Sequence, residues 1–99
     1  DGATLKVLHP SEGFIEKNPK AKDNDLSLVL KLDTESVSVL MSGDIERLSE
    51  MYLLETEAGL KAQVMKAAHH GAATSSGARF VKAVSPKIAV ISAGQYNRF

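Results

Sequence analysis

The chain has 99 residues, with 12 Lys and Arg balancing 12 Asp and Glu, and it contains no cysteine. A net charge of zero gives no global positive field for nucleic acid or anionic lipid, and the lack of cysteine excludes a disulfide framework and a thiolate metal site. No apolar run approaches the roughly 18 residues that cross a bilayer. We therefore expect a water-soluble domain, or part of one, that makes no membrane contact of its own.

The first half of the chain predicts strands separated by a long polar segment. The stretch "TLKVLHP" (4–10) alternates in polarity and stops at Pro10, as expected of a half-buried strand. Residues 11–25 are rich in Lys, Asp, Asn, Gly and Pro, which indicates a mobile surface loop. The stretches "LSLVLKLD" (26–33) and "SVSVLMSG" (36–43) predict a β-hairpin.

The second half alternates helices with strands. From Ile45 to Ala58, apolar residues recur with the period of an amphipathic helix. The stretch "AQVMKAA" (62–68) predicts a short strand, "SSGARFVKAV" (75–84) a short helix, and "KIAVISAG" (87–94) a last, buried strand. This order indicates an α/β or α+β fold in which helices flank a mixed sheet.

Asp44 is the first candidate functional residue, because it follows a hydrophobic strand and precedes a predicted helix. It suits the N-cap of that helix, where aspartate accepts hydrogen bonds from free backbone amides. It equally suits a carboxylate at the carboxyl edge of a sheet, where ligand sites of layered α/β folds collect. Gly43 before it permits the close approach of backbone or ligand. Both interpretations stay open.

The adjacent histidines His69 and His70 are the second candidates. Successive side chains of a strand point to opposite faces, so at most one of the pair enters a given site while the strand lasts. Each suits a hydrogen-bonded structural position or a metal site, since imidazole is the commonest metal ligand. Beyond the turn that Gly71 permits, Ser75 and Ser76 place hydroxyls at a helix start, where anions such as phosphate bind.

Other polar groups have plainer interpretations. His9 ends the first predicted strand and is expected to be structural or substrate-facing. The stretch "NDLS" (24–27), which contains Asp25, suits a turn and the start of a strand. A mixed cluster of charges is ordinary solvated surface, and this interpretation is favoured over phosphate binding for Lys17, Lys20 and Lys22.

Considered together, the motifs form a pattern. The stretches "LHP", "NDLSLVLKL", "VLMSGD", "VMKAAHHG" and "TSSGARFVKAVSPKIAVISAGQYN" follow one another along almost the whole chain. Their order and spacing resemble the metallo-β-lactamase-like domain at the C-terminus of ComEC-type DNA-internalisation (competence) proteins. The resemblance implies an αββα sandwich that hydrolyses phosphodiesters or related esters with one or two metal ions, commonly zinc or manganese.

The resemblance also implies that residues 1–99 are the C-terminal half of such a domain within a longer protein. The main ligand motif of the family, His-x-His-x-Asp-His, belongs to the first half and does not occur here. Asp44 matches the carboxylate that bridges two metals, and His69 or His70 matches a later ligand, so these three are the expected catalytic and metal-binding residues. The residues expected to bind substrate are Ser75, Ser76 and Asn97.

This sequence departs from the family at two places. Ala72 stands where a serine usually follows His-His-Gly, and no Gly-His-Pro follows "GQYN". The expected partners are DNA or another phosphodiester and the remainder of the parent polypeptide, a bacterial membrane protein that carries this domain on its extracytoplasmic side. The isolated segment is expected to be inactive. Two alternatives are a metal-free module that binds an anion or nucleic acid, and a purely structural half-domain.

Overall fold

The computed structural model describes residues 2–56, 59–67 and 77–91, which form a five-stranded mixed sheet with helices. The strands are β1 (Ala3–His9), β2 (Val29–Thr34), β3 (Ser38–Met41), β4 (Val64–Lys66) and β5 (Ile88–Val90). The helices are α1 (Glu12–Lys17), a 3-10 helix (Asp23–Leu26), α2 (Arg47–Glu55) and α3 (Ala78–Val84). The predicted α+β class, a mixed sheet flanked by helices, is confirmed.

The sheet order follows the chain order, β1-β2-β3-β4-β5. The pairs β1–β2 and β2–β3 are antiparallel, which confirms the predicted hairpin, and the pairs β3–β4 and β4–β5 are parallel. Strands β1, β3, β4 and β5 therefore run in one direction. Their last residues, His9, Met41, Lys66 and Val90, define one boundary of the sheet, which we name the carboxyl edge; the opposite boundary is the amino edge.

Helices α2 and α3 cover one face of the sheet. Val29, Leu40 and Met65 project from β2, β3 and β4 into a buried cluster, where they meet Leu53 of α2 and Phe80 of α3. Each of these side chains is at most 1% exposed. Burying an apolar side chain of this size stabilises the fold by about 1.5 to 3 kcal/mol, so this cluster fixes the helices on the sheet.

The opposite face of the sheet is apolar but is not buried by the described residues. The strand registers align two rows of side chains across all five strands on this side. None of the ten is in the buried class, and the outer ones, such as Leu5 and Ile88, are 60% and 59% exposed. We name this set the open face: Leu5, Leu32, Val39, Val64 and Ile88, with Val7, Leu30, Met41, Lys66 and Val90.

The prediction of a mobile loop over residues 11–25 was wrong. Ser11 caps α1 by accepting a hydrogen bond from the Phe14 amide (3.1 Å), and the Phe14 side chain is fully buried. Its ring packs edge-on against His9 and Tyr52, with centroids 4.4 and 5.2 Å apart. The polar composition concealed a short helix, because a single apolar side chain suffices to anchor it.

The other predicted elements exist, with different boundaries. Helix α2 begins at Arg47 rather than Ile45, and α3 has Gly77 as its N-cap. Strand β5 was predicted to be buried, but its residues are exposed. It is the last strand on one side of the sheet, and its Ile88 and Val90 side chains belong to the open face. The predicted ends of elements that fall at 57–58, 68, 75–76 and 92–94 lie outside the described residues.

A search of the described residues finds no helix with the length and apolar character needed to span a bilayer.

Candidate functional site

Asp44 lies just past the end of β3, in a tight turn at the carboxyl edge. The turn is closed by a hydrogen bond from the Ile45 amide to the Ser42 carbonyl (3.4 Å), and Gly43 has a φ of +59°. A Cβ atom at Gly43 would lie 2.6 Å from the carbonyl oxygen of Leu28. Glycine is therefore required here both for its conformation and for space, and this close crossing places the partly exposed Asp44 at the edge.

The interpretation of Asp44 as the N-cap of α2 is wrong. The N-cap residue is Glu46, whose side chain makes no capping hydrogen bond. The carboxylate of Asp25 caps the helix instead, since its Oδ1 accepts hydrogen bonds from the backbone amides of Glu46 (3.0 Å) and Ser49 (3.1 Å). A negative charge at this helix end is favourable, and it comes from a residue 22 positions before the start of α2.

Asp25 joins three elements at the carboxyl edge. Its side chain is buried, at 7% exposure, and the Ser49 hydroxyl lies 2.7 Å from both its Oδ1 and its carbonyl oxygen. The same carbonyl lies 2.8 Å from Nε2 of His9, at the end of β1. The predicted turn position is therefore a buried hydrogen-bonding centre that connects β1, the 3-10 helix and α2.

His9 is structural, which is one of the two interpretations that its position allowed. The imidazole is fully buried, and because a carbonyl can only accept, Nε2 carries the proton that binds Asp25. Burial lowers the pKa of His9 below its ordinary value of 6.5, opposed in part by the hydrogen bond to the Asp25 carbonyl and by the Asp25 charge. A neutral, fully buried ring engaged in this way does not face a substrate.

Replacement of Asp25 by alanine is expected to lower the free energy of unfolding by about 2 to 4 kcal/mol, because it removes a helix cap and leaves buried donors unsatisfied. Asp25→Asn keeps an acceptor oxygen and is expected to cost less. The matched control is Asp23→Ala on the same 3-10 helix, where the side chain is exposed. Chemical denaturation measures the series, and equal stability of the Asp25 and Asp23 alanine variants would contradict the capping assignment.

Stability is expected to fall on acidification below about pH 6.5, because the folded protein resists protonation of His9 while the unfolded chain accepts the proton. Above that pH both states hold a neutral ring, and the full stability is present. The measurement is the free energy of unfolding from pH 8 to pH 5. His9→Gln is expected to flatten this pH dependence. If the free energy of unfolding of that variant changed with pH as steeply as in the wild type, the dependence would arise from other titratable groups.

The parallel pairing of β3 with β4 brings the ends of these two strands together at the carboxyl edge. Met41 pairs with Lys66, so both strands end side by side at the carboxyl edge. Asp44 follows three residues after Met41, and the chain reaches residue 68 two residues after Lys66. Asp44 and Ala67, the last described residue before His69 and His70, therefore lie at the same edge of the sheet.

Gly77, where the described chain resumes, is hydrogen-bonded to α2. The amide of Gly77 donates a hydrogen bond to Oε1 of Glu50 (3.0 Å), and the Glu50 side chain is buried at 3% exposure. Five of the predicted site residues lie outside the described part of the chain: His69, His70, Ser75, Ser76 and Asn97.

The described residues do not by themselves complete a metal centre. Among residues 2–56, 59–67 and 77–91, no group of three or more His, Cys, Asp or Glu side chains could hold a metal ion. His9 is the histidine of this part of the chain, and its Nε2 is engaged by Asp25. Asp44 supplies a carboxylate at the edge, so the remaining ligands of any metal site must come from other residues.

Sequence reasoning missed the capping role of Asp25 and the contact of Glu50 with Gly77. Neither has a local signal, because each side chain binds backbone more than 20 positions away. Helix α1, in contrast, had a signal: Ser11 at its N-cap, Glu12 in its first turn and Lys17 in its last.

Comparison with known proteins finds relatives that are 36–39% identical to this chain. The chain is 39% identical over 82 residues to ComE operon protein 3 of Bacillus subtilis (strain 168), an alignment that covers 83% of this chain. It is 38% identical over its whole length to Competence protein ComA of Neisseria gonorrhoeae. It is 36% identical over 75 residues, 76% of the chain, to Recombination protein 2 of Haemophilus influenzae.

These relatives are much longer than the matched segment, which spans 10%, 14% and 9% of their respective lengths. No protein-family profile matches the sequence. No solved structure is significantly similar to it. The chain is therefore similar to one segment of each of these longer proteins.

Proposed function

We propose that this chain is part of a metal-dependent hydrolase that cleaves phosphodiesters, with DNA as the substrate during its uptake. The names of the relatives support a role in DNA uptake. The hydrolase assignment rests on the resemblance of the motifs to the metallo-β-lactamase-like domain. The expected location remains the extracytoplasmic side of a bacterial membrane protein.

One observation supports the proposal: β3 and β4 are adjacent and parallel, so Asp44 and Ala67, the last described residue before His69 and His70, follow strands that end at the same edge. The carboxyl ends of parallel strands are where layered α/β folds build their sites. Hydrogen bonding at Asp25 and Glu50 fixes the neighbouring elements. A rigid surround of this kind keeps ligand side chains in a productive geometry.

We assign Asp44 the role of a bridging carboxylate, and His69 or His70 that of a further ligand of zinc or manganese. Carboxylate and neutral imidazole are suitable ligands for these ions. Such ions supply Lewis acidity and activate water at neutral pH. We assign Ser75, Ser76 and Asn97 to the substrate phosphate, to which hydroxyl and amide groups donate hydrogen bonds.

We further propose that residues 1–99 form half of a two-layered domain and that the remainder of the parent polypeptide covers the open face. Nine of the ten side chains on this face are apolar, and they extend across all five strands. An apolar surface that spans a whole sheet is normally buried against another layer. The length of the relatives beyond the matched segment provides ample chain to form that layer.

Hydrolysis of a labelled single-stranded DNA oligonucleotide by the full-length protein tests the proposed function. We expect cleavage that a chelator abolishes and that added manganese or zinc restores. Cleavage that is insensitive to the chelator would contradict the metal-dependent mechanism. Tight DNA binding without cleavage at any metal concentration would instead favour the metal-free binding module.

A further inference from the structure

A basic groove lies at the amino edge of the sheet, on the side opposite to the candidate site. It consists of two cavities of about 330 and 470 Å³ that share Lys31 and Lys61 in their walls. Lys87 lines the larger cavity, together with Ser38 and Gln63. These residues come from β2, from the segments that precede β4 and β5, and from the start of β3, so the sheet itself determines their spacing.

Among the described residues, no acidic side chain forms an ion pair with the three lysines of this groove. Within residues 2–56, 59–67 and 77–91, no carboxylate lines either cavity, and none of the three lysines has an acidic oxygen within 4 Å. The ammonium group of Lys31 is positioned by a hydrogen bond to the carbonyl oxygen of Gly59 (3.0 Å). Like charges that line one groove repel one another, and a bound anion would relieve that repulsion.

A second group of three lysines differs from those of the groove, because acidic side chains line the same cavity. Lys17, Lys20 and Lys22 line a cavity at the carboxyl edge, but Asp25 and Glu46 line it too. The Lys17 ammonium also lies 3.8 Å from the Glu55 carboxylate. This cavity therefore has as many lysines as the amino-edge groove, but carboxylates line it as well.

We propose that the amino-edge groove binds backbone phosphates of a nucleic-acid strand at a site separate from the candidate active site. Three lysines distributed along two adjoining cavities suit successive phosphates better than a single phosphate group. The smaller cavity also has an apolar wall, to which the partly exposed Leu54 contributes a surface against which a sugar or base can pack. The choice of nucleic acid rests on the proposed role in DNA uptake, whereas the affinity for phosphate rests on the groove alone.

The test is the binding of a fluorescently labelled single-stranded oligonucleotide to the full-length protein, measured by anisotropy in EDTA over a range of salt concentrations. The triple variant Lys31→Gln/Lys61→Gln/Lys87→Gln is expected to bind about tenfold more weakly, or worse, at about 0.1 M salt. The slope of log affinity against log salt is expected to decrease by about 2, since each phosphate contact on a single strand contributes about 0.7.

The charge-matched control is Lys17→Gln/Lys20→Gln/Lys22→Gln, which removes the same charge at the carboxyl edge and is expected to change affinity less than about twofold. Thermal unfolding verifies that both variants are folded, and single lysine variants replace the triple one if it is not. Equal losses in the two triple variants, or no loss in either, would overturn the proposal. Because EDTA removes metals, the result is independent of whether the protein hydrolyses DNA.

Discussion

Asp44→Asn in the full-length protein is expected to lower metal-dependent phosphodiester hydrolysis at least about a hundredfold while leaving the fold intact. Asparagine preserves the shape of the side chain but removes the charge that holds two cations close together. Since Asp25 and not Asp44 caps α2, the stability cost is expected to stay below about 1 kcal/mol. Initial cleavage rates at saturating manganese, together with thermal unfolding, measure both effects.

The matched control for this substitution is Asp33→Asn, which removes the same charge from a partly exposed position on β2, near the amino edge. Its cleavage rate is expected to equal that of the wild type. If Asp44→Asn kept the wild-type rate and metal dependence, the bridging assignment would be lost. If Asp44→Asn lost activity because it unfolded, Asp44→Glu would replace it as the test variant, since it keeps the charge but moves it by one methylene.

The second large effect is expected on the open face, where Val39→Lys should destabilise the full-length protein by about 3 kcal/mol or more, or prevent its folding. Val39 occupies the centre of one apolar row, between Leu32 of β2 and Val64 of β4. If a second layer covers this face, the new ammonium group is buried without a partner, which is costly. Thermal unfolding and soluble yield are the measurements.

Ser36→Lys provides the comparison, because this residue lies in the exposed turn between β2 and β3 and should tolerate the same added charge. In the separate 99-residue segment, Val39→Lys is expected to cost little and to reduce self-association, since the face is open there. A full-length Val39→Lys protein with wild-type stability would show that no layer covers the open face.

Sequence periodicity alone determined the strands and helices with strong patterns. The alternation in β1 and in the β2–β3 hairpin, and the helical period of α2, arise from local side-chain direction, which a sequence displays directly. The same reasoning failed for residues 11–25. There the buried Phe14 and the Ser11 cap specify a helix that the overall polarity concealed.

The sequence also identified Asp44 as a residue worth testing, but it left two interpretations open. Only the tertiary structure removed one of them, because the cap of α2 comes from Asp25, which is distant in sequence and becomes adjacent through folding. His9 was resolved in the same way, by a hydrogen bond across 16 positions.

The arrangement of the site and of its surroundings likewise depends on the tertiary structure. Composition indicates a neutral chain, yet the strand order brings three lysines to one groove at the amino edge, where no described carboxylate lines the walls. Periodicity predicted apolar strands, yet only the register shows that nine apolar side chains form one continuous face. Local sequence specifies which way each side chain points along its own strand, whereas the pairing of distant strands specifies which side chains become neighbours.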